Sequence, residues 1–154
     1  MTKQWIVAAN AYHAHIYEAT AKGKRLIPSS MRLIQTLHHP ASLKKRQELS
    51  SDRPGHYKTR ESTRGAYSQH LDVKEKEKIN FAKDIIEVLE KGFNSHHYQQ
   101  LILFAAPHFY GLLKSALSDQ LIKHLHSVIE KDYTSATIHE LEAACLIKPT
   151  ITKS

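Results

Sequence analysis

The sequence predicts an α/β fold: a mixed five-stranded sheet flanked by helices. Three observations carry that expectation. The first forty or so residues hold three short runs with apolar alternation, separated by turn residues, which is the pattern of an antiparallel meander. Residues 101–106, Leu-Ile-Leu-Phe-Ala-Ala, are an unbroken apolar run, the mark of a strand covered on both faces and so parallel to a neighbour. Ala82, Ile85, Ile86, Leu89 and Phe93 recur with a helical period and form one apolar stripe.

Trp5-Ile6-Val7-Ala8-Ala9 reads as the first strand, stopped by Asn10. Residues 14–19 alternate and read as a second, antiparallel strand, with a turn at Ala21-Lys22-Gly23-Lys24. A third strand falls within residues 31–37, and three strands are enough to offer one apolar face to helices. From His38 to His70 the pattern breaks, and so long an aperiodic stretch inside a compact domain reads as a functional or disordered loop, shortened by a helix at residues 42–49. Asp72 and Glu75 form a D-x-x-E capping pair that predicts a helix start at Asp72. Lys83, Glu87 and Lys91 line its wet side, and Gly92 or Asn94 ends it. After the central strand, residues 107–117 form an amphipathic helix, and Ser118 caps another with Leu121, Ile122 and Leu125 turned inward. Residues 128–133 suggest a fifth, edge strand, and residues 135–145 a closing helix carrying Ile138, Leu141 and Leu146.

The order β-β-β, long loop, α, β, α, β, α is ribonuclease-H-like, with the first strand central beside the fourth. At 154 residues and 41% apolar composition the chain suits one core, so residues 1–147 are expected to form one α/β domain and 148–154 a tail. The lone Cys145 excludes an internal disulfide framework and suits a reducing compartment. No apolar run reaches the length of a membrane span or a signal peptide. A cytoplasmic location is the expectation.

The sharp chemistries fail on their residues. A two-metal nuclease of this fold needs an acid in the first strand and others on strand four and a later helix, and neither strand holds one. Twelve histidines raise a metal, but no H-E-x-x-H occurs. His13 and His15 share a strand face without a third ligand placed by spacing, so no metal site is expected. Phosphate-loop and nucleophile-elbow patterns are missing, and no cofactor is implied.

Charge points to one segment. The net charge is +7, and residues 41–71 hold seven Lys/Arg against three acids, a surplus of 7 − 3 = +4. Within it, Lys44, Lys45, Arg53, Lys58, Arg60 and Arg64 are candidate phosphate contacts, and Tyr67, with Tyr57, a candidate stacking platform. Asp52, with Arg53, can fix the base of the segment through backbone bonds while Pro54-Gly55 turns the chain.

The run Trp5 to Asn10, His39-Pro40, Ser51-Asp52-Arg53-Pro54-Gly55, Ala106-Pro107-His108-Phe109-Tyr110-Gly111-Leu112-Leu113 and Glu130-Lys131-Asp132-Tyr133-Thr134 resemble, in order and spacing, the bacterial host-attachment proteins. The resemblance spans roughly residues 3–146 and implies structuring roles for Lys131 and Asp132 beside those of Asp52, Pro54 and Gly55. That family is in turn similar to the middle domain of archaeal and eukaryotic release factors and of the rescue factor Pelota. In release factors the loop before the long helix carries Gly-Gly-Gln. Here that place reads Thr63-Arg64-Gly65-Ala66-Tyr67-Ser68-Gln69-His70, so no catalytic residue is carried over. The resemblance implies a non-catalytic domain that contacts ribosomal or transfer RNA through its basic loop. Two other expectations stand beside it: a role in host attachment through protein partners, and an enzyme acting on a small anionic substrate at the same loop.

Overall fold

A computed structural model describes residues 1–23, 25–39 and 63–147, with residues 63–72 and 147 described as backbone only. The elements in chain order are β1 (Thr2–Ala9), β2 (His13–Lys22), β3 (Arg25–Leu26), β4 (Arg32–His38), α1 (Thr63–Asn94), β5 (Gln100–Ala105), α2 (Pro107–Ala116), α3 (Asp119–Lys123), β6 (Leu125–Ile129) and α4 (Ile138–Ile147). They build one mixed sheet in the order β3-β2-β1-β5-β6, with β4 also pairing β2. The α/β class and the flanked mixed sheet are as the sequence predicts. The two-residue β3 is an addition to the five strands read from the pattern.

β1 runs antiparallel to β2 and parallel to β5, so the first strand is central. Its side chains are buried from Gln4 to Ala9, which requires cover on both faces. On one face Trp5, Val7 and Ala9 meet Phe81, Ala82, Ile85 and Leu89 of α1 and Phe109 and Leu113 of α2. On the other, Ile6 and Ala8 join Tyr17, Ile102, Phe104 and Leu141 of α4. The apolar run at residues 101–106 is β5, flanked by β1 and β6 in parallel.

Several boundaries differ from the sequence reading. α1 begins at Thr63 rather than Asp72, which takes eight residues out of the expected loop and leaves Asp72 inside a helix. β6 lies at residues 125–129 rather than 128–133. α3 is only five residues long, so Leu125 is already paired to Leu101 in the sheet, and a bond from the Lys131 N–H to the Ile129 carbonyl turns the chain out at 2.9 Å. α4 starts at Ile138 because Thr137 and Glu140 form a reciprocal capping box, the Glu140 N–H donating to Thr137 Oγ1 at 3.1 Å and the Thr137 N–H to Glu140 Oε1 at 2.8 Å. Ile122, expected inward, is exposed, as are Ile138 and Leu146. Ser118 caps α3 as its sequence suggests, accepting from the Leu121 N–H at 3.2 Å.

Candidate binding surface at the carboxyl end of the strands

The carboxyl ends of β1, β4, β5 and β6 lie at one end of the sheet, together with the start of β2. In open α/β sheets this end is where ligands bind. Asn10 organises it. Its Oδ1 accepts from the backbone N–H groups of Tyr12 and His13 at 2.8 and 2.9 Å, an Asx turn that reverses the chain into β2. Its Nδ2 donates to Asp132 Oδ2 at 3.0 Å and to Thr134 Oγ1 at 3.1 Å. The other Asp132 oxygen accepts from the Thr134 N–H at 2.9 Å and the Thr134 hydroxyl at 2.6 Å. Both carboxylate oxygens are therefore occupied. Partial burial works against the Asp132 charge, but the hydrogen bonds from Thr134 and Asn10, with nearby His13, hold its carboxyl below the ordinary value.

Three imidazoles stand beside this knot. Ala14 and Ile16 of β2 belong to the core under α1, so alternation puts His13 and His15 on the opposite face. The β2–β4 register then sets His38 across from His13 and Thr36 across from His15. Ring centroids are 6.3 Å apart for His13 and His15, and 5.9 Å apart for His13 and His38, the latter edge to face. The His15 Nδ1 lies 3.3 Å from Thr36 Oγ1, with a further hydrogen bond to the Thr134 backbone. Burial, then the neighbouring His13 and His38, push the His15 pKa below the usual histidine value.

Described residues on either side of the basic stretch, His39 and Glu75, lie at the same end. Before it, the His39 N–H donates to the Tyr12 carbonyl at 2.9 Å, and its buried ring packs on Phe81 at 5.4 Å. After it, Glu75 of α1 stands 3.4 Å from His108, in the first turn of α2 just past β5. α1 starts at Thr63, 75 − 63 = 12 residues earlier, about 18 Å of helix.

Of the candidate residues read from sequence, Lys44, Lys45, Asp52, Arg53, Pro54, Gly55, Lys58 and Arg60 lie outside the described residues, as does the helix expected at 42–49. Arg64 and Tyr67 sit one turn apart on the α1 backbone. Lys131 is exposed beside Asp132. Asn10, Thr134 and His38 are the residues that sequence reasoning missed. An Asn at a strand end is the signal of an Asx turn, but nothing in the order of residues announces a contact across more than a hundred positions.

Among the described residues, no group of three or more His, Cys, Asp or Glu side chains is arranged to hold a metal ion. Cys145 is partly buried, and burial with the adjacent Glu142 pushes its thiol up to about 12, far from a reactive thiolate. A cleft of about 550 Å³ adjoins the knot, lined by Asp132, Tyr133 and Glu140. Another of about 550 Å³ lies on the α1 face of the sheet, lined by Trp5, Glu18, Arg32, Lys91 and His97.

Fold and site thus define an α/β protein whose polar groups gather where its parallel strands end. The chain belongs to the family described as proteins required for attachment to host cells, whose model matches residues 5–144. No curated protein matches the sequence. No described helix is long and apolar enough to cross a membrane.

Proposed function

We propose that this host-attachment-family chain is a non-catalytic binding module that contacts RNA, ribosomal or transfer, through the carboxyl end of its sheet. One observation carries the reading. Described residues on both sides of the basic stretch, His39 and Glu75 of α1, lie at the end where Asn10, Asp132 and the three imidazoles lie. That stretch holds a surplus of four positive charges, which draws a polyanion by releasing its counterions. In this reading Lys44, Lys45, Arg53, Lys58, Arg60 and Arg64 meet phosphates, Tyr67 stacks on a base, and Asp52, Pro54 and Gly55 shape the segment. The release-factor-like order of elements supports the same placement of a working segment before the long helix. Pull-down from native lysate, with and without ribonuclease, tests it. Recovery of ribosomal or transfer RNA that depends on Arg60 and Arg64 is expected. Equal recovery of partners after ribonuclease, with no loss in the Arg60→Glu/Arg64→Glu variant, overturns it.

The family match favours a second reading, a role in attachment mediated by protein partners. Ribonuclease-resistant capture together with native protein at the cell surface would favour that reading over the first.

A further inference from the structure

We propose that His13 and His38 form a seat for one phosphate of an RNA backbone, occupied when the two imidazoles are protonated. The inference rests on the RNA reading and adds to it a contact outside the basic stretch.

The pair differs from its neighbour. The ring of His15 is held by Thr36 and by the Thr134 backbone. The rings of His13 and His38 touch each other and, for His13, His15, but their nitrogens donate to and accept from no described residue. Two imidazoles 5.9 Å apart therefore present N–H groups with no partner among the described residues, close to His39, the last described residue before the basic stretch. Titratable groups on the neighbouring elements include His15 and Tyr17 on β2, Tyr12 in the β1–β2 turn, and Lys131, Asp132 and Tyr133 after β6.

Asp132 is the acid among them, and its position decides the chemistry. Its two oxygens already accept three bonds from Asn10 and Thr134, so it lends His13 a field with little acceptor capacity to spare. Two adjacent imidazoliums repel, and one occupied carboxylate leaves a surplus of positive charge. An acceptor-only monoanion resolves that surplus. A phosphodiester has this charge and carries two non-bridging oxygens, each able to accept a charge-assisted N–H bond. The flanking segment already favours a polyanion, which singles out the phosphodiester of a nucleic-acid backbone over other anions. Thr36 and Thr134 have the supporting part: they fix His15, whose ring in turn packs beside His13.

Linkage fixes the direction of the pH effect. An anion that prefers the protonated pair is bound with proton uptake, so binding tightens as pH falls. The test is equilibrium filter binding of a radiolabelled short single-stranded RNA to the full chain at fixed salt, between about pH 8 and about pH 5.5. The wild type is expected to tighten about tenfold over that span. His13→Gln/His38→Gln is expected to remove the gain, while His139→Gln, exposed on α4, keeps it. Should the double variant fail to fold, His38→Gln alone is expected to lose most of the gain. In parallel, inorganic phosphate titrated while the histidine ring signals are followed by NMR separates a free anion from the RNA chain. RNA bound equally at both pH limits, or a gain that survives in the double variant, overturns the seat and leaves the RNA reading intact. Phosphate shifting the His13 and His38 signals while RNA fails to bind supports the seat as a free-anion site and overturns the RNA reading. Neither response overturns both.

Discussion

The side-chain amide of Asn10 ties the end of β1 to the turn after β6, its Nδ2 reaching Asp132 Oδ2 at 3.0 Å across 122 positions of sequence. One residue thereby sets both the reversal into β2 and the position of the segment carrying Lys131, Asp132 and Thr134. Truncating it tests whether that end of the sheet is built as a unit. Asn10→Ala removes two bonds to backbone N–H groups and two to side chains, and is expected to cost about 2 kcal/mol in urea unfolding. Amide exchange at His13 and Thr134 should accelerate together. Exchange changing at only one of them would contradict a shared anchor.

Asp132 carries a pH signature. Its carboxyl is held below the ordinary value of 3.8, so its contribution is fully present above that value and is lost as pH falls through the folded-state pKa. Asp132→Asn should therefore be less stable than wild type at neutral pH, with the gap closing in strong acid. The group is largely exposed, so the gap is expected to be small. His15 acts in the same sense but at higher pH. Its folded-state pKa is below the ordinary 6.5, so the unfolded chain binds the proton more readily and stability falls as pH drops below that value. Replacement by Gln should flatten this part of the curve.

Gly92 lies under the indole of Trp5. A Cβ built there would stand 2.4 Å from Trp5 Cη2, a contact only a shift of ring or helix can relieve. Gly92→Ala is expected to destabilise the protein by about 1–3 kcal/mol. Trp5 is the chain's one tryptophan and stacks on Tyr98 at 4.5 Å, so its emission reports the disturbance directly.

Cys145 should be chemically quiet. With its thiol pushed up to about 12, alkylation by iodoacetamide at mildly alkaline pH should be many times slower than for a free thiol, and fast only on unfolding. Rapid modification of the folded protein would show that the segment around Leu141 opens.

Much of this fold is legible in the residues because burial writes a period into them. β5 reads directly from its unbroken apolar run, since both of its faces are covered by helices. α1 is legible only where it crosses the sheet. Phe81 to Leu89 pack on β1 and show a stripe, whereas the helix begins well before that stripe, which makes Asp72 a false start. The site is less legible for a different reason. His38 reaches His13 through a register that shifts where Ile34 is the extra residue between Gln35, paired to Ile16, and Leu33, paired to Tyr17. Such offsets are set by packing across strands, and a list of histidines does not contain them. The Asn10 bonds to Asp132 and Thr134 likewise exist only once the parallel strands have brought their ends together.

The salt dependence of RNA binding tests the central claim most directly. A surface built on clustered Lys and Arg should lose affinity linearly in log–log form as salt rises, with a slope near −0.7 for each phosphate contacted in a single strand. Arg60→Glu/Arg64→Glu should reduce that slope by roughly one and a half while leaving the urea midpoint unchanged. A slope near zero in the wild type, or the same slope in the variant, would contradict RNA contact at the carboxyl end of the sheet.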